Sequence, residues 1–338
     1  MLRLNKLLCF ITVLFVFLQQ IYSFQYGNGN NESSMIFVKV ADDVKDVVLG
    51  YWESYIIKND NSLWGTGLEI YKKFGMNGEK IEKKFVKLQE DVSYYDGYYM
   101  VKTDGATFST NKGLNKIEHR IKSASNGIVF IANDDCLYAE SENTHGAYGL
   151  GKKFVSLNEP TILMPDVINV YSNGYYTQVV NSKHELYITG EHYLPEPYKQ
   201  STSFFKVADN VRYSTEGFYI TDANELYAFG WCGHGVSGLG KQKNIGIKPT
   251  KVMDDVLFVV CNQSVTLIIK TNGDLYGCGG NTPNYAGELG FGNKEPIFIP
   301  KLIMKNVEKA ALGGCHSAVI KTDGTLWMCG ANYFAGGY

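Results

Sequence analysis

The chain has 338 residues, of which 45% are hydrophobic and 14% aromatic, and its formal net charge is -2. Such a composition supports a large folded core and excludes a chain that is disordered throughout. The near-neutral charge provides no global field for a polyanion, so we expect no nucleic-acid partner.

Residues 1–23 have the layout of a secretory signal peptide. Arg3 and Lys6 precede an uncharged run from Leu7 to Leu18, and Ser23 supplies a small residue at the expected cleavage point. An uncleaved membrane anchor is the alternative, but the apolar run is short for a bilayer span. We therefore expect cleavage, a secreted extracellular protein and no stable membrane insertion.

Residues 24–36 are rich in Asn, Gly and Ser and are predicted to form a flexible leader. Asn31 begins an Asn-Glu-Ser acceptor sequence for glycosylation, and Asn262 begins a second acceptor tripeptide. Asn262 also falls in a column that other units fill with glycine, so a turn role competes with modification there.

From residue 37 to residue 338 one short pattern recurs seven times. A β-branched residue is followed, six and seven positions later, by a leucine and an aromatic residue: Leu63-Trp64, Thr107-Phe108, Leu137-Tyr138, Leu186-Tyr187, Leu226-Tyr227, Leu275-Tyr276 and Leu326-Trp327. Only the second unit lacks the leucine. This composition favours strands, and no helical apolar stripe is sustained through the region.

Two columns flank each leucine and predict a tight hairpin. Residues that tolerate positive φ stand two positions before it: Asn61, Gly105, Asp135, His184, Asn224, Gly273 and Gly324. Glycine usually stands four positions after it, so we expect neighbouring backbone to pass close there.

A further column precedes most hairpins and has the form apolar residue, polar pair, valine. Examples are Val40-Ala41-Asp42-Asp43-Val44 and Val252-Met253-Asp254-Asp255-Val256. We predict an edge-proximal strand in each, with the acidic pair as a solvated turn rather than a set of catalytic or metal-binding carboxylates.

Successive anchors lie 30 to 51 residues apart, which fits units of about four short strands. The fold class is therefore predicted to be all-β, a seven-bladed β-propeller. The last hairpin lacks a following valine-bearing strand, whereas Phe37 to Val44 supplies a surplus one. We expect this N-terminal strand to pair into the last blade and close the ring.

The later units resemble a known repeat family. The runs Ile269 to Asn281 and Val319 to Asn332, the Gly287-Glu-Leu-Gly290 run and the Cys315-His316-Ser317 step are similar to repeats of the regulator of chromosome condensation family. The resemblance is specific in the last three units and degenerate in the first four. It implies a seven-bladed propeller, and members of the family act as guanine-nucleotide exchange factors, chromatin binders or adaptors.

The cysteines and histidines do not suggest a metal or cofactor site. Removal of the leader leaves Cys136, Cys232, Cys261, Cys278, Cys315 and Cys329. An even number of cysteines in an exported chain is also typical of a disulfide framework. We expect mostly buried thiols, because equivalent columns on adjacent blades are too far apart to bridge unless they lie near the central axis. No Cys-x-x-Cys pair occurs, and the six histidines are scattered. His145, His192 and His234 are expected in loops near one face.

No motif of a hydrolase, metalloprotease or phosphate-cradling loop is present, so we do not expect an enzyme. The leading hypothesis is a secreted, monomeric, non-catalytic propeller whose loops bind a protein partner, or else a glycan. The candidate binding residues are Trp52, Tyr95, Tyr148, Tyr176, His192, Tyr193, Trp231, His234 and Tyr285. A cytosolic or nuclear exchange factor or chromatin adaptor and a propeller hydrolase or lyase are the alternatives.

Three departures from the repeat attract attention. They are a Lys-rich segment from Lys72 to Lys87, a truncated connection after the second unit, and an insertion from His192 to Ser203. We expect the Lys-rich segment to be a solvated loop rather than a phosphate-binding patch.

Overall fold

A computed structural model describes residues 33–68, 70–78, 81–111, 113–191, 200–230, 235–240, 246–280 and 287–331. These residues form seven four-stranded antiparallel sheets, arranged as the blades of a propeller ring. The predicted fold class is therefore confirmed. The predicted signal peptide and most of the leader lie outside the described residues.

The first four blades, from inner to outer strand, are built from the following elements. Blade 1 contains β2 (Val44–Leu49), β3 (Glu53–Lys58), β4 (Leu63–Leu68) and β5 (Ile81–Gln89), with a one-turn helix α1 (Ile70–Lys73) between the last two. Blade 2 contains β6 (Val92–Tyr95), β7 (Tyr99–Lys102), β8 (Thr107–Ser109) and β9 (Asn115–Ile117). Blade 3 contains β10 (Ile121–Ser125), β11 (Val129–Ala132), β12 (Leu137–Ala139) and β13 (Thr161–Met164). Blade 4 contains β14 (Val167–Ser172), β15 (Tyr176–Asn181), β16 (Leu186–Glu191) and β17 (Gln200–Ala208).

The last three blades follow the same plan. Blade 5 contains β18 (Val211–Thr215), β19 (Phe218–Thr221), β20 (Leu226–Gly230) and β21 (Gly246–Met253). Blade 6 contains β22 (Val256–Cys261), β23 (Val265–Lys270), β24 (Leu275–Gly279) and β25 (Ile297–Met304). Blade 7 contains β26 (Val307–Leu312), β27 (His316–Lys321), β28 (Leu326–Gly330) and, as its outermost strand, β1 (Ser34–Ala41).

The N-terminal strand completes blade 7. In antiparallel register with β28, Val38 lies opposite Met328 and Ala41 opposite Leu326. Because β2 then begins blade 1 only three residues later, one short turn joins the last blade to the first. This is the pairing expected from the surplus strand in the sequence.

The core lies between the blades rather than within any one of them. At the closing junction, Val44 and Ile56 of blade 1 pack against Ile320, Leu326 and Met328 of blade 7. The innermost strands of neighbouring blades also contact one another and so surround the central axis. An isolated blade would leave both of its apolar faces in water, which explains why the repeats depend on their neighbours.

The polar-pair column has a different structural role from the predicted one. The segment from Val40 to Val44 is not one edge strand, because β1 ends at Ala41 in blade 7 and β2 starts at Val44 in blade 1. Asp42 and Asp43 form the turn between the blades, and Asp43 has a φ of 62°. Hence the strand prediction was wrong, whereas the solvated turn is confirmed by the exposure of both acidic side chains.

Positive φ occurs at all seven hairpin positions predicted to need it, from Asn61 to Gly324. The glycine column four residues after the leucine is equally constrained. A Cβ on Gly279, whose φ is +110°, would lie 2.4 Å from the carbonyl oxygen of Ser264. The expected close approach of backbone is therefore present there.

The prediction that the cysteine thiols are mostly buried is confirmed in part. Cys261, Cys278 and Cys329 are buried, whereas Cys136 and Cys315 are partly exposed. Cys232 lies outside the described residues. Within the described ranges, no helix is long and apolar enough to cross a membrane.

Candidate functional site

The two faces of the ring are made from different connections. The hairpins that join second to third strands and the turns that join one blade to the next lie on one face, here called the turn face. The turns between first and second strands and the longer connections between third and fourth strands lie on the other, the loop face. Because neighbouring strands are antiparallel, connections alternate between the faces along the chain.

Exposed aromatic side chains lie on the loop face close to the axis. Tyr51 and Trp52 occupy the turn between the two innermost strands of blade 1, and Tyr175 occupies the same turn in blade 4. Their exposed fractions are 62%, 37% and 56%. The Tyr51 and Trp52 rings pack edge to face with their centroids 5.5 Å apart, so each ring restricts the position of the other. Short turns on rigid strands thus present large apolar surfaces to solvent.

A lysine holds helix α1 across the junction of blades 1 and 2. Lys73 Nζ lies 2.6 Å from Glu53 Oε1. The same ammonium group lies 5.6 Å from the ring centroids of both Tyr55 and Tyr98. The ion pair and the two ring contacts satisfy the charge of Lys73 locally, and this lysine therefore serves packing.

The Lys-rich segment is not the loop that we predicted. Lys72 and Lys73 lie in α1, and Lys83, Lys84 and Lys87 lie on the outermost strand β5. The three strand lysines are exposed, so the expectation that their charges are solvated is confirmed. Lys87 is paired with Glu90 at 2.7 Å near the outer edge of the sheet.

A polar cluster connects the long connection of blade 3 to the first turn of blade 4. His145 Nδ1 lies 2.9 Å from Glu191 Oε2, and the His145 ring lies 4.4 Å from the ring of Tyr175. Lys153 forms a second ion pair with Glu191. Hydrogen bonds from Lys153 and His145 lower the pKa of the Glu191 carboxyl. The cluster holds the Tyr175 ring in place at the loop face. His145 itself lies in a loop on this face, as the sequence predicted.

The structure corrects three of the predicted binding residues. Tyr95, Tyr148 and Tyr176 are buried, with exposed fractions of 3%, 0% and 7%. Tyr95 packs edge to face on Tyr55 at 5.0 Å and donates its hydroxyl to the Gly97 carbonyl. These rings lie between blades, where no partner can reach them. The hydroxyl of Tyr148 forms a hydrogen bond with that of Ser141 at 2.8 Å.

The remaining candidates divide into two groups. Trp52 is exposed on the loop face, whereas His192, Tyr193, Trp231, His234, Tyr285 and Asn31 lie outside the described residues. Asn262 is held as a turn residue: its Oδ1 accepts the amide protons of Ser264 and Val265, and its Nδ2 donates to the Gly313 carbonyl at 3.1 Å. Of the two roles weighed for Asn262, the structure shows the turn role.

Acidic groups near the loop face are engaged in structural contacts. Asp96 accepts the amide protons of Tyr98 and Tyr99, and burial raises the pKa of its carboxyl. Burial also raises the pKa of Glu216, which accepts the hydroxyl of Tyr171 at 3.0 Å. The described residues contain no group of three or more potential metal ligands.

His316 is buried at the closing junction of blades 7 and 1. Its Nε2 lies 3.1 Å from Ser54 Oγ, and its Nδ1 has no hydrogen-bond partner among the residues that the structure describes. Burial lowers the pKa of this imidazole to about 3, so the ring is neutral near pH 7. This histidine of the His-Ser step joins two blades and does not face solvent.

Sequence reasoning missed the residues that organise the loop face. Glu53, Lys73, Lys153 and Glu191 carry no motif, and only their positions in the turns and connections of adjacent blades bring them to the exposed aromatic rings.

Comparison with known proteins adds a partial sequence relationship. No family model matches the chain. The X-linked retinitis pigmentosa GTPase regulator of Canis lupus familiaris is 33% identical over 122 residues, covering 33% of this chain and 12% of that protein. The human RCC1-like G exchanging factor-like protein is 29% identical over 121 residues, covering 33% of this chain and 25% of that protein. The alignments thus span a quarter or less of these relatives.

Solved structures match over most of the chain. Human WBSCR16 superposes with a TM-score of 0.69 at 15% identity, covering 87% of this chain and 88% of that one. Prp20p from Saccharomyces cerevisiae gives a TM-score of 0.65 at 14% identity, covering 87% and 83%. At such low identity these matches establish the fold alone.

The ring of seven four-stranded sheets defines a seven-bladed β-propeller. In its repeats, the chain is similar to proteins of the regulator of chromosome condensation repeat family.

Proposed function

We propose that this chain is a secreted, non-catalytic propeller that binds a protein partner through its loop face. The observation that carries the proposal is the set of exposed aromatic rings, Tyr51, Trp52 and Tyr175, on short turns near the axis. Tyrosine and tryptophan contribute large contact areas at low entropic cost and are enriched among interface hot spots.

Export is the second component of the proposal and rests on the predicted signal peptide over residues 1–23. The first residue of the mature protein, measured by N-terminal sequencing after expression in a secreting host, tests it. A start near Phe24 supports export. Recovery of the intact chain from the nucleus would overturn it and would favour an intracellular regulator.

A capture experiment with identified partners tests the binding face. The secreted chain is immobilised, extracellular proteins are captured, and the dissociation constant of each identified protein is measured for the wild type and a Trp52→Ala, Tyr175→Ala double variant. We expect the double variant to bind at least tenfold more weakly, since each lost anchor is worth roughly 1–2 kcal/mol.

Ile299 provides the matched control because it is 67% exposed but lies on the outermost strand of blade 6. Ile299→Ala should leave the affinity unchanged. Capture of no protein above background, or equal affinity for the double variant and the wild type, would refute the loop-face proposal. Capture of glycans alone would replace the protein partner with a carbohydrate.

A guanine-nucleotide exchange activity is the second candidate. It is favoured by the relatives, one described as a GTPase regulator and another as an RCC1-like G exchanging factor-like protein. Release of a fluorescent GDP analogue from a panel of small GTPases measures this activity directly. Accelerated release at catalytic concentrations of the chain would support it, and an unchanged rate over the whole panel would argue against it.

A further inference from the structure

Adjacent blades are fastened on the turn face by a recurring backbone hydrogen bond. The first residue of an innermost strand donates its N–H to the carbonyl of the positive-φ hairpin residue of the preceding blade, as Val92 does to Asn61 at 2.8 Å. Six junctions show this bond at 2.8 to 2.9 Å, with donors Val44, Val92, Val167, Val211, Val256 and Val307. We call it the junction bond.

The junction of blades 2 and 3 lacks the junction bond. Its donor would be Ile121 and its acceptor Gly105, but the Ile121 N–H instead lies 3.4 Å from Thr107 Oγ1. The Gly105 carbonyl is left with a 3.5 Å contact from that same hydroxyl. Thr107 is the residue that replaces the recurrent leucine, so two departures from the repeat coincide here.

The cause lies in the residue before the donor. At the six regular junctions this residue is aspartate or asparagine with a φ between 56° and 62°: Asp43, Asp91, Asp166, Asn210, Asp255 and Asn306. At the irregular junction it is Arg120, which is absent from the residues with positive φ. Asp and Asn enter the left-handed region at lower cost than a long side chain does, so Arg120 turns the following N–H away from Gly105.

A cavity of about 660 Å³ opens where the junction bond is missing. It is lined by the hairpin of blade 2 and by the segment that leads into blade 3: Asp104, Gly105, Ala106, Thr107, Lys116, Ile117, Glu118 and Arg120. This volume lies within the range of pockets that hold small ligands. The adjacent outermost strand β9 has three residues, whereas those of blades 5 and 6 have eight.

Two basic side chains of this cavity have no acidic partner in the described structure. The Arg120 guanidinium lies over Gly105, and a Cβ built on Gly105 would be 3.4 Å from Arg120 Nη1. Neither Arg120 nor Lys116 forms an ion pair with another described residue. The other arginine of the described chain, Arg212, donates to the carbonyls of Val256 and Leu257, each at 2.8 Å. Arg212 therefore links blades 5 and 6 by hydrogen bonds, whereas Arg120 lies at the junction of blades 2 and 3, which lacks the junction bond.

We propose that this cavity is a second binding site, separate from the loop face, which takes a carboxylate-bearing extended peptide segment of a partner protein. Arg120 and Lys116 bind the carboxylate through charge-assisted hydrogen bonds. The Gly105 carbonyl accepts a peptide N–H, while Ala106 and Ile117 supply apolar contact. Asp104 and Glu118 also line the cavity but form no ion pair with either cation among the described contacts.

Titration of the full isotope-labelled chain with two short peptides tests the proposal. The probes are acetyl-Ala-Glu-Ala-amide and acetyl-Ala-Gln-Ala-amide, and the readout is the NMR shift of the Gly105 and Thr107 amides. We expect saturable shifts with the glutamate peptide and at least tenfold weaker binding of the glutamine peptide. Arg120→Gln should weaken the glutamate peptide roughly tenfold to a hundredfold through loss of a charge-assisted bond.

Two further variants keep the test decisive. Lys183→Gln removes an exposed charge from another hairpin of the same face and should leave binding unchanged. Thr107→Leu restores the residue that six other units carry, so it should fold and should also abolish binding by filling the cavity. Equal binding of both peptides, wild-type binding by Arg120→Gln, or acetate alone saturating as tightly as the glutamate peptide would overturn the proposal.

Discussion

The turn face and the loop face of this propeller are built from the same strands but differ in what they repeat. On the turn face, all seven hairpins place a residue of positive φ at the same position, and six of the seven junctions form the same backbone bond. On the loop face, the connection between third and fourth strands covers residues 110–114 in blade 2 but 140–160 in blade 3. The repeated face secures the ring, and the variable face is free to differ in function.

The largest expected effect comes from breaking a regular blade in its core. Leu275 is fully buried at the start of the third strand of blade 6, so Leu275→Ala should lower the free energy of unfolding by about 2–5 kcal/mol. Thr107→Ala removes fewer atoms from the equivalent column of blade 2 and should cost clearly less. Urea unfolding of both variants measures the difference. Equal losses would show that blade 2 is packed as tightly as blade 6.

The next effect concerns the loop-face end of the third strand. Gly279→Ala would place a Cβ 2.4 Å from the Ser264 carbonyl oxygen at a φ of +110°, and we expect a loss of about 3 kcal/mol from strain and backbone displacement. Gly75→Ala is the matched control, because Gly75 also has positive φ but has open space around it. The control should lose about 1 kcal/mol. If thermal unfolding shows similar losses of stability for Gly279→Ala and Gly75→Ala, the positive φ alone would account for the loss in Gly279→Ala.

The closing junction should respond to acid through His316. The pKa of this ring is lowered to about 3 in the fold, so unfolding takes up a proton below the ordinary value of 6.5. Stability contributed by the neutral ring is complete above pH 6.5 and falls as the pH drops towards 3. Between pH 7.5 and 4.5 we expect His316 to account for a loss of about 3 kcal/mol.

The free energy of urea unfolding at the two pH values measures this loss. His316→Gln should show a smaller acid-induced decrease than the wild type, provided that it folds at pH 7.5. His145→Gln, in which the replaced side chain is partly exposed, should retain the wild-type decrease. An unchanged decrease in His316→Gln would mean that other groups control the acid response.

The smallest expected change in stability is at the junctions, where a regular junction can be compared with the irregular one. Asp91→Arg places a long side chain at a φ of 56° and should cost about 1 kcal/mol, partly by weakening the bond from Val92 to Asn61. Arg120→Asn introduces the residue that two regular junctions use and should raise stability by a similar amount. Melting temperatures of both variants test the pair of expectations. A lower melting temperature for Arg120→Asn would show that Arg120 makes stabilising contacts at the irregular junction of blades 2 and 3.

Much of the turn face was predictable because its requirements are local. A tight hairpin needs positive φ at one position, and the choice of Gly, Asn or Asp at Gly105, Asp135 and Asn224 records that requirement in the sequence. The polar-pair column was misassigned for a related reason. Val40 and Val44 are neighbours in sequence but belong to different blades, and adjacency alone does not show where one sheet ends.

The candidate binding residues were predicted less well because exposure is not a local property. Trp52 and Tyr95 are both aromatic residues beside a first turn, yet Trp52 is exposed and Tyr95 is buried between blades. The Arg120 cavity needed the structure for the same reason. The sequence showed that Thr107 departs from the repeat, but only the packing of blades 2 and 3 shows that the departure opens a space.

The sequence by itself determined the number of units, their hairpins and the strand that closes the ring, since each depends on backbone conformation and on the period of apolar side chains. The tertiary structure alone decided which aromatic rings reach solvent and which junction remains open. Those outcomes depend on contacts between residues far apart in the chain, such as His316 with Ser54 and Tyr175 with His145. No local pattern encodes such contacts, because each side chain meets its neighbours only after the blades have packed.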